Sequence, residues 1–91
     1  MITLYRVKGH SMEPAVKDGE VYFVANFSSP KINDIVVFEN NGMSLVKRVK
    51  KIGGNKYILK GDNEGHSKEY QIRKEQVVGK LAFRLWPLAK R

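Results

Sequence analysis

The sequence contains no cysteine and only two histidines, His10 and His66. The lack of cysteine excludes disulfide bonds, zinc sites built on thiolates and a cysteine nucleophile. The two histidines show no metal-ligand spacing, and two are too few for a zinc site without carboxylate ligands. We therefore predict that the protein uses neither a metal nor another cofactor.

Long apolar segments are also missing. No apolar run reaches the roughly 18 residues that a membrane-spanning helix needs, and the first residues lack the apolar stretch of a signal peptide. We therefore expect a cytoplasmic protein that a partner could recruit to a membrane. A chain of 91 residues builds one modest core, so we expect a single domain over residues 1–91.

Helical periodicity is nearly absent, and short β-rich runs alternate with turn signals. This pattern predicts a mostly β fold, either a small coiled antiparallel sheet or a barrel-like one. Hairpin turns are expected at Asn40-Asn41-Gly42 and at Gly53-Gly54-Asn55. The predicted strands are Ile2–Val7, Glu20–Ala25, Asp34–Glu39, Ser44–Val49, Lys56–Lys60 and Val77–Leu85.

A serine just after the first predicted strand is a candidate nucleophile. Ser11 lies in Gly9-His10-Ser11-Met12-Glu13-Pro14, where a turn stiffened by proline would expose its hydroxyl and its backbone N–H together. A serine hydroxyl needs a base at neutral pH. His10 should point away from Ser11, because neighbouring side chains of an extended segment face opposite sides. Taken alone, the segment is more typical of a surface turn.

A lysine 36 positions later is the candidate base. Alternation along the fourth predicted strand places Leu45, Lys47 and Val49 on one face. Burial lowers the pKa of a lysine, so that its neutral amine can accept a proton near pH 7. If Lys47 stood alone, an exposed lysine that protects a sheet edge would be the simpler interpretation.

Four segments together resemble the boxes of type I signal peptidases, and more broadly the Ser-Lys peptidase group that contains the LexA and UmuD self-cleaving proteins. They occur in the order of that family and extend from about Val7 to Leu85. The short form is more similar to the small maturation peptidases of the group. The segments are Gly9-x-Ser11-Met12-x-Pro14, Asp34-Ile35-Val36-Val37-Phe38, Val46-Lys47-Arg48-Val49 and Gly61-Asp62-Asn63-x-x-x-Ser67.

The resemblance implies a serine endopeptidase with the coiled β fold of the LexA and signal peptidase type. Ser11 matches the nucleophile and Lys47 the general base, and the Ser11 N–H matches one donor to the oxyanion. The residues that match positions shaping or supporting the site are Gly9, Met12, Pro14, Arg48, Gly61, Asp62, Asn63 and Ser67.

The resemblance also implies the substrate, a peptide or precursor protein. It would bind in a shallow groove as an extended strand, paired with exposed strand edges, and be cut after a small residue, often Ala. An apolar wall must keep Lys47 dry, and for it we expect Leu45, Val49, Phe38 and Met12. Nothing in the sequence specifies an oligomeric state.

One segment departs from the family. Signal peptidases continue the Gly-Asp-Asn box with Ser-x-Asp-Ser-Arg, whereas this chain has Ser67-Lys68-Glu69-Tyr70-Gln71. Glu69 replaces the acid and Gln71 replaces the arginine. The supporting salt bridge of the family is therefore not expected in its usual form.

Two other functions fit parts of the sequence. A remnant of a self-cleaving regulator is one, although the chain has no Ala-Gly or Cys-Gly bond and only ten residues before Ser11. A basic β module that binds nucleic acid is the other, since 17 Lys and Arg against 9 Asp and Glu give a net charge of +8. Alternation places aromatic residues such as Tyr57, Tyr70 and Phe83 mostly in the core, so we expect no nucleic-acid partner.

The end of the chain, Phe83–Arg91, carries apolar residues beside basic ones. Trp86 between Leu85 and Leu88 would suit docking at a membrane surface. The simpler interpretation, which we adopt, is a last strand whose Trp86 closes the end of the barrel.

Overall fold

The computed structural model describes residues 2–87, in which seven strands form one antiparallel sheet. The strands are β1 (Ile2–Arg6), β2 (Val21–Ala25), β3 (Ile35–Asn40), β4 (Met43–Gly53), β5 (Lys56–Lys60), β6 (Tyr70–Arg73) and β7 (Val77–Trp86). Their order across the sheet is β1-β2-β7-β3-β4-β5-β6. The predicted mostly β fold is confirmed.

Two tight hairpins join the central strands. Asn40 pairs with Met43, and the loop residues Asn41 and Gly42 have φ of 53° and 79°. A two-residue hairpin of this hand needs positive φ at both positions, which Asn-Gly tolerates well. The second hairpin turns through Gly54, with φ of 57°, and both hairpins lie where the sequence predicts them.

Strand β6, which the sequence did not predict, follows a 3-10 turn at Glu64–His66. This strand has four residues, and Ile72 is its buried member. It pairs antiparallel with β5, from Leu59 opposite Tyr70 to Lys56 opposite Arg73. A segment with so little apolar alternation carries a weak local signal, so its strand conformation depends on this pairing.

Two apolar clusters lie on opposite faces of β3 and β4. The first cluster contains Val7, Met12, Val16, Val24, Val37 and Val46. The second cluster contains Val36, Phe38, Val49, Tyr57, Leu59 and Ile72. Because successive side chains of a strand point to opposite faces, the uninterrupted apolar run in β3 supplies both clusters at once.

The sheet curls in two directions around these clusters. At one end, the Tyr5 hydroxyl on β1 donates to the Ser44 carbonyl on β4, at 3.3 Å, although three strands lie between them in the sheet order. At the other end, the rings of Phe38 and Tyr70 meet edge to face, with centroids 5.5 Å apart. Both curls bring strand ends toward β4, which carries the candidate base.

Two expectations about the last strand are wrong. Trp86 is 59% exposed and Phe83 is 71% exposed, so neither closes a barrel nor packs in the core. Tyr57 is buried as expected. Residues 88–91, which include Leu88, lie outside the described part of the chain. In residues 2–87, no helix combines the length and the apolar character needed to cross a membrane.

Candidate active site

The turn that carries Ser11 is held at both ends. After β1, the Gly9 N–H donates to the Asp18 carboxylate at 2.7 Å, and Gly9 has a φ of 87°. The turn is then closed by backbone bonds from Glu13 to His10 and from Val16 to Met12, of 3.2 and 3.0 Å. Because Met12 is only 1% exposed in the first cluster, the turn is fixed to the core beside Ser11.

His10 has a different partner from Ser11. Its Nδ1 lies 2.8 Å from the Glu13 carboxylate, at the exposed surface of the turn. This hydrogen bond and the charge of Glu13 raise the pKa of His10, and the same hydrogen bond and the charge of His10 lower the pKa of Glu13. The pair braces the turn, and the Glu13–Pro14 peptide bond within the same turn is cis.

Lys47 reaches the Ser11 hydroxyl from β4. The Lys47 Nζ donates a hydrogen bond to Ser11 Oγ. The lysine is only 7% exposed, and burial lowers its pKa below the ordinary value. Among residues 2–87, no carboxylate forms an ion pair with it. The structure therefore brings the predicted serine and lysine together, and no carboxylate of residues 2–87 pairs with the amine.

The wall around Lys47 differs from the predicted one at one position. Three of the expected residues are part of this wall: Phe38 and Val49 belong to the second cluster, and Leu45 packs against it. Leu45 and Val49 lie on the face of β4 that carries Lys47, and Phe38 comes from β3. Met12 was expected there but packs in the first cluster, beside Val46 on the opposite face. Ser11 turns toward Lys47, so the side chain of the next residue is directed away from it.

Tyr70 completes this wall, and the sequence analysis did not identify it. Its ring centroid lies 5.8 Å from Lys47 Nζ, and its ring packs against Phe38. Val36, which faces Lys47 across the β3–β4 pair, is fully buried. Tyr70 lies in the segment that departs from the family, so no motif pointed to it.

A loop after β5 holds the Ser11 turn from the other side. The Asn63 N–H donates to the Ser11 carbonyl at 2.8 Å, and the Asn63 side-chain amide donates to the His10 carbonyl at 2.9 Å. Asn63 therefore fixes the backbone of both Ser11 and the residue before it, His10.

Arg48 connects this loop to the strand of Lys47. Its Nε and Nη2 donate to the two oxygens of Asp62, at 2.9 and 2.7 Å, and its Nη1 donates to the Asn33 carbonyl at 2.7 Å. The paired hydrogen bonds raise the pKa of Arg48 and lower the pKa of Asp62. A bidentate contact of this kind fixes the orientation of the two side chains as well as the distance between them.

The remaining predicted residues lie next to this loop. Ser67 Oγ donates to the Gly61 carbonyl at 3.1 Å. Within residues 2–87, Glu69 forms no ion pair, and Gln71 is exposed on β6. Gly9 and Pro14 shape the Ser11 turn, as described above. The structure thus gathers the sequence-predicted residues around one turn and one strand.

The free edge of β1 and the first half of β4 face each other across a slot, which the hydrogen bond from the Tyr5 hydroxyl to the Ser44 carbonyl spans. β4 pairs with β5 only from Arg48 onward, so its first half has no partner on that side. The Val49 N–H and C=O form hydrogen bonds on the β3 side of β4. Because the direction of the backbone groups alternates along a strand, the N–H and C=O groups of Ser44 and Val46 point to the opposite side, toward the slot. By the same alternation, Val7 bonds toward β2, and Arg6 presents its backbone at the free edge of β1.

A backbone donor, the N–H of Ser11 itself, lies next to the Ser11 hydroxyl. It donates to no acceptor within residues 2–87. A free backbone donor beside a hydroxyl is suited to hold a developing negative charge on a substrate oxygen.

Comparison with known proteins agrees with this architecture. A family model described as Peptidase S24-like matches residues 2–82. The chain is also 38% identical, over 86 aligned residues, to the signal peptidase complex catalytic subunit SEC11C of Canis lupus familiaris, Homo sapiens and Mus musculus. Each match covers 77% of this chain and 45% of the relative, so the chain spans about half the length of these curated proteins. The chain belongs to the Peptidase S24-like family.

Proposed function

We propose that this chain is a serine endopeptidase in which Ser11 is the nucleophile and neutral Lys47 is the general base. The observation that carries the proposal is the hydrogen bond between Lys47 Nζ and Ser11 Oγ inside an apolar wall. Desolvation lowers the pKa of this lysine, which increases the fraction of neutral amine near pH 7. The same contact places Nζ within reach of the hydroxyl, so that the neutral amine can accept the proton of Ser11 Oγ.

The chemistry follows from these two groups. Lys47 takes the proton of Ser11 Oγ while Oγ attacks the carbonyl carbon of the peptide bond. The Ser11 N–H stabilises the negative oxygen of the tetrahedral intermediate. The Lys47 ammonium then gives its proton to the leaving amine, and the carbon–nitrogen bond breaks to leave an ester on Ser11. Lys47 next deprotonates a water, which attacks the ester; as the bond between the carbonyl carbon and Oγ breaks, the Lys47 ammonium returns the proton to Oγ, which releases the acid and restores the serine.

The slot between β1 and β4 suits a peptide in extended conformation. The Ser44 N–H and the backbone groups of Val46 on one side, and those of Arg6 on the other, can pair with a strand laid between them; the Ser44 carbonyl already accepts from Tyr5. The matched relatives are named as catalytic subunits of a signal peptidase complex. On that likeness we propose a precursor or signal-type peptide as substrate, cut after a small residue.

The test is a digest of a peptide library, with new termini identified by mass spectrometry. Wild-type protein should produce cuts that follow small residues. Ser11→Ala and Lys47→Ala should each reduce the rate by roughly 10²–10⁴-fold, which is the usual size of a lost proton-transfer group. Lys51→Ala, which removes an exposed lysine of the same strand, is the matched control and should cleave normally. Undiminished cleavage by both active-site variants would overturn the mechanism.

A further inference from the structure

A cavity lies between β1 and β4, and neither Ser11 nor Lys47 lines it. It has a volume of about 330 Å³ and is lined by Tyr5, Arg6, Lys8, Met43 and Ser44. Tyr5 and Arg6 on β1 and Lys8 just after it precede Ser11 by three to six positions, and on β4 Met43 and Ser44 precede Lys47 by four and three. At roughly 3.3 Å per residue, an extended peptide would reach it about three to five residues from the bond that is cut.

The charges around this cavity are uncompensated. Within residues 2–87, neither Arg6 nor Lys8 forms an ion pair, and neither side chain makes a hydrogen bond with another described group. Two basic residues elsewhere in the sheet do pair with acids, Lys80 with Asp34 and Arg84 with Glu20. Two cations therefore border one concavity whose lining contains no carboxylate.

The other lining residues complete a site for a short side chain with a charged end. The Tyr5 hydroxyl donates to the Ser44 carbonyl and closes one end of the cavity. Met43 is 62% exposed beside it, and its flexible thioether can pack against the methylene groups of a ligand. Hydrogen bonds from Arg or Lys to a carboxylate are among the stronger ones available to proteins.

We infer that this cavity is a specificity subsite for an acidic side chain, Asp or Glu, of the substrate peptide. The inference rests on the proposed function, because the subsite is defined by its distance from the Ser11–Lys47 pair. An acid at that distance gains the attraction of both cations, whereas a lysine there is repelled by them. The preference should weaken as salt screens these exposed charges.

The experiment compares peptides that differ at one position. Fluorogenic peptides share a small residue before the cut and carry Glu, Gln or Lys at each of the five positions on either side. At one position three to five residues from the cut, wild type should prefer Glu to Gln. At low salt its kcat/KM should be roughly three- to tenfold higher with Glu, which is the size of effect that two exposed charge pairs can give. The Arg6→Gln/Lys8→Gln double variant should bring that ratio close to one. A ratio that is the same in wild type and double variant would overturn the inference.

Two controls separate this inference from the proposed function. Lys56→Gln/Lys74→Gln removes the same charge from exposed positions outside the slot and should keep the Glu preference; its loss there would show a general charge effect and overturn the subsite. Binding of the Glu and Gln peptides to Ser11→Ala, measured by fluorescence anisotropy, needs no catalysis. Tighter binding of the Glu peptide that disappears with Arg6→Gln/Lys8→Gln supports the subsite even where no cleavage occurs. Equal binding of both peptides contradicts it.

Discussion

The Ser11 carbonyl lies against the backbone of Gly61, in the space that a side chain at position 61 would fill. A Cβ built on Gly61 would overlap the Ser11 carbonyl oxygen and come within 2.8 Å of the Ser67 Cβ. Neither neighbour is the free end of a flexible side chain, so a larger residue would have to displace the backbone. The Ser11 turn and the loop after β5 can therefore meet only because position 61 is a glycine.

Gly61→Ala should impair catalysis through the position of Ser11. A shift of about 1 Å in a reacting group can cost around 10²-fold in rate, so we expect kcat to fall by about that factor. The matched control is Gly65→Ala in the same loop, where a Cβ would meet nothing within 4 Å. Steady-state cleavage and circular dichroism should show both variants folded and only Gly61→Ala slow. Normal kcat in Gly61→Ala would show that the contact does not set the position of Ser11.

Arg48→Lys should weaken the site although it keeps the charge. A lysine cannot reproduce the paired contact to Asp62 together with the bond to the Asn33 carbonyl, so the loop that carries Asn63 loses its fixed connection to β4. We expect the free energy of unfolding to fall by about 1–3 kcal/mol, which is typical of a hydrogen bond to a charged group, and kcat to fall with it. Urea unfolding and cleavage assays test both effects.

The control for this change is Arg73→Lys. Arg73 lies 4.0 Å from Glu75 in an exposed pair, and pairs of this kind contribute little. If Arg48→Lys and Arg73→Lys are equally close to wild type in stability and rate, the paired hydrogen bonds between Arg48 and Asp62 are unimportant for the site.

Local signals were enough to predict most of the sheet. The Asn41-Gly42 turn and the apolar run from Ile35 to Phe38 specify a hairpin by themselves, because the turn type and the strand period are local properties. The order of the strands is not local: β7 lies between β2 and β3, which requires pairing across some fifty positions of sequence. β6 was missed for a different reason, because its four residues carry little apolar alternation although its partner β5 is close in sequence.

The site was predictable where a motif carried it. Ser11 and Lys47 were predicted from the order and spacing of the family's sequence boxes. The contact between their side chains depends on the curl of the sheet, which spacing alone does not show. The wall was only partly predictable. Leu45 and Val49 follow from alternation on β4, whereas Met12 depends on how a turn is oriented and Tyr70 arrives from a strand that the sequence did not reveal.

Lys47 should reduce stability at neutral pH. Its pKa is below 10.5 in the folded protein because of desolvation, so between the folded and unfolded pKa values the unfolded chain binds more protons and stability rises with pH. Below the folded pKa, both states are protonated and the full cost of burying the charge remains. Each unit of lowering corresponds to about 1.4 kcal/mol.

We therefore expect Lys47→Met to be more stable than wild type at pH 7, with a difference that narrows toward pH 10. Guanidinium unfolding across this range measures it, and Lys51→Met, an exposed change on the same strand, should show no such trend. A Lys47→Met variant that is less stable than wild type at every pH would mean that the bond to Ser11 outweighs desolvation.

Tyr70 should set the pH at which the enzyme becomes active. Its ring excludes water from Lys47, which favours the neutral amine, and also attracts the ammonium at 5.8 Å, which favours the charged form. Since burial is the cause of the lowered pKa, exclusion of water is the larger effect. Tyr70→Ala should therefore raise the pKa of Lys47 and move the rise of kcat/KM to higher pH, whereas Tyr70→Phe, which keeps the ring, should leave the profile in place. A shift to lower pH in Tyr70→Ala would show instead that the attraction between ring and ammonium dominates.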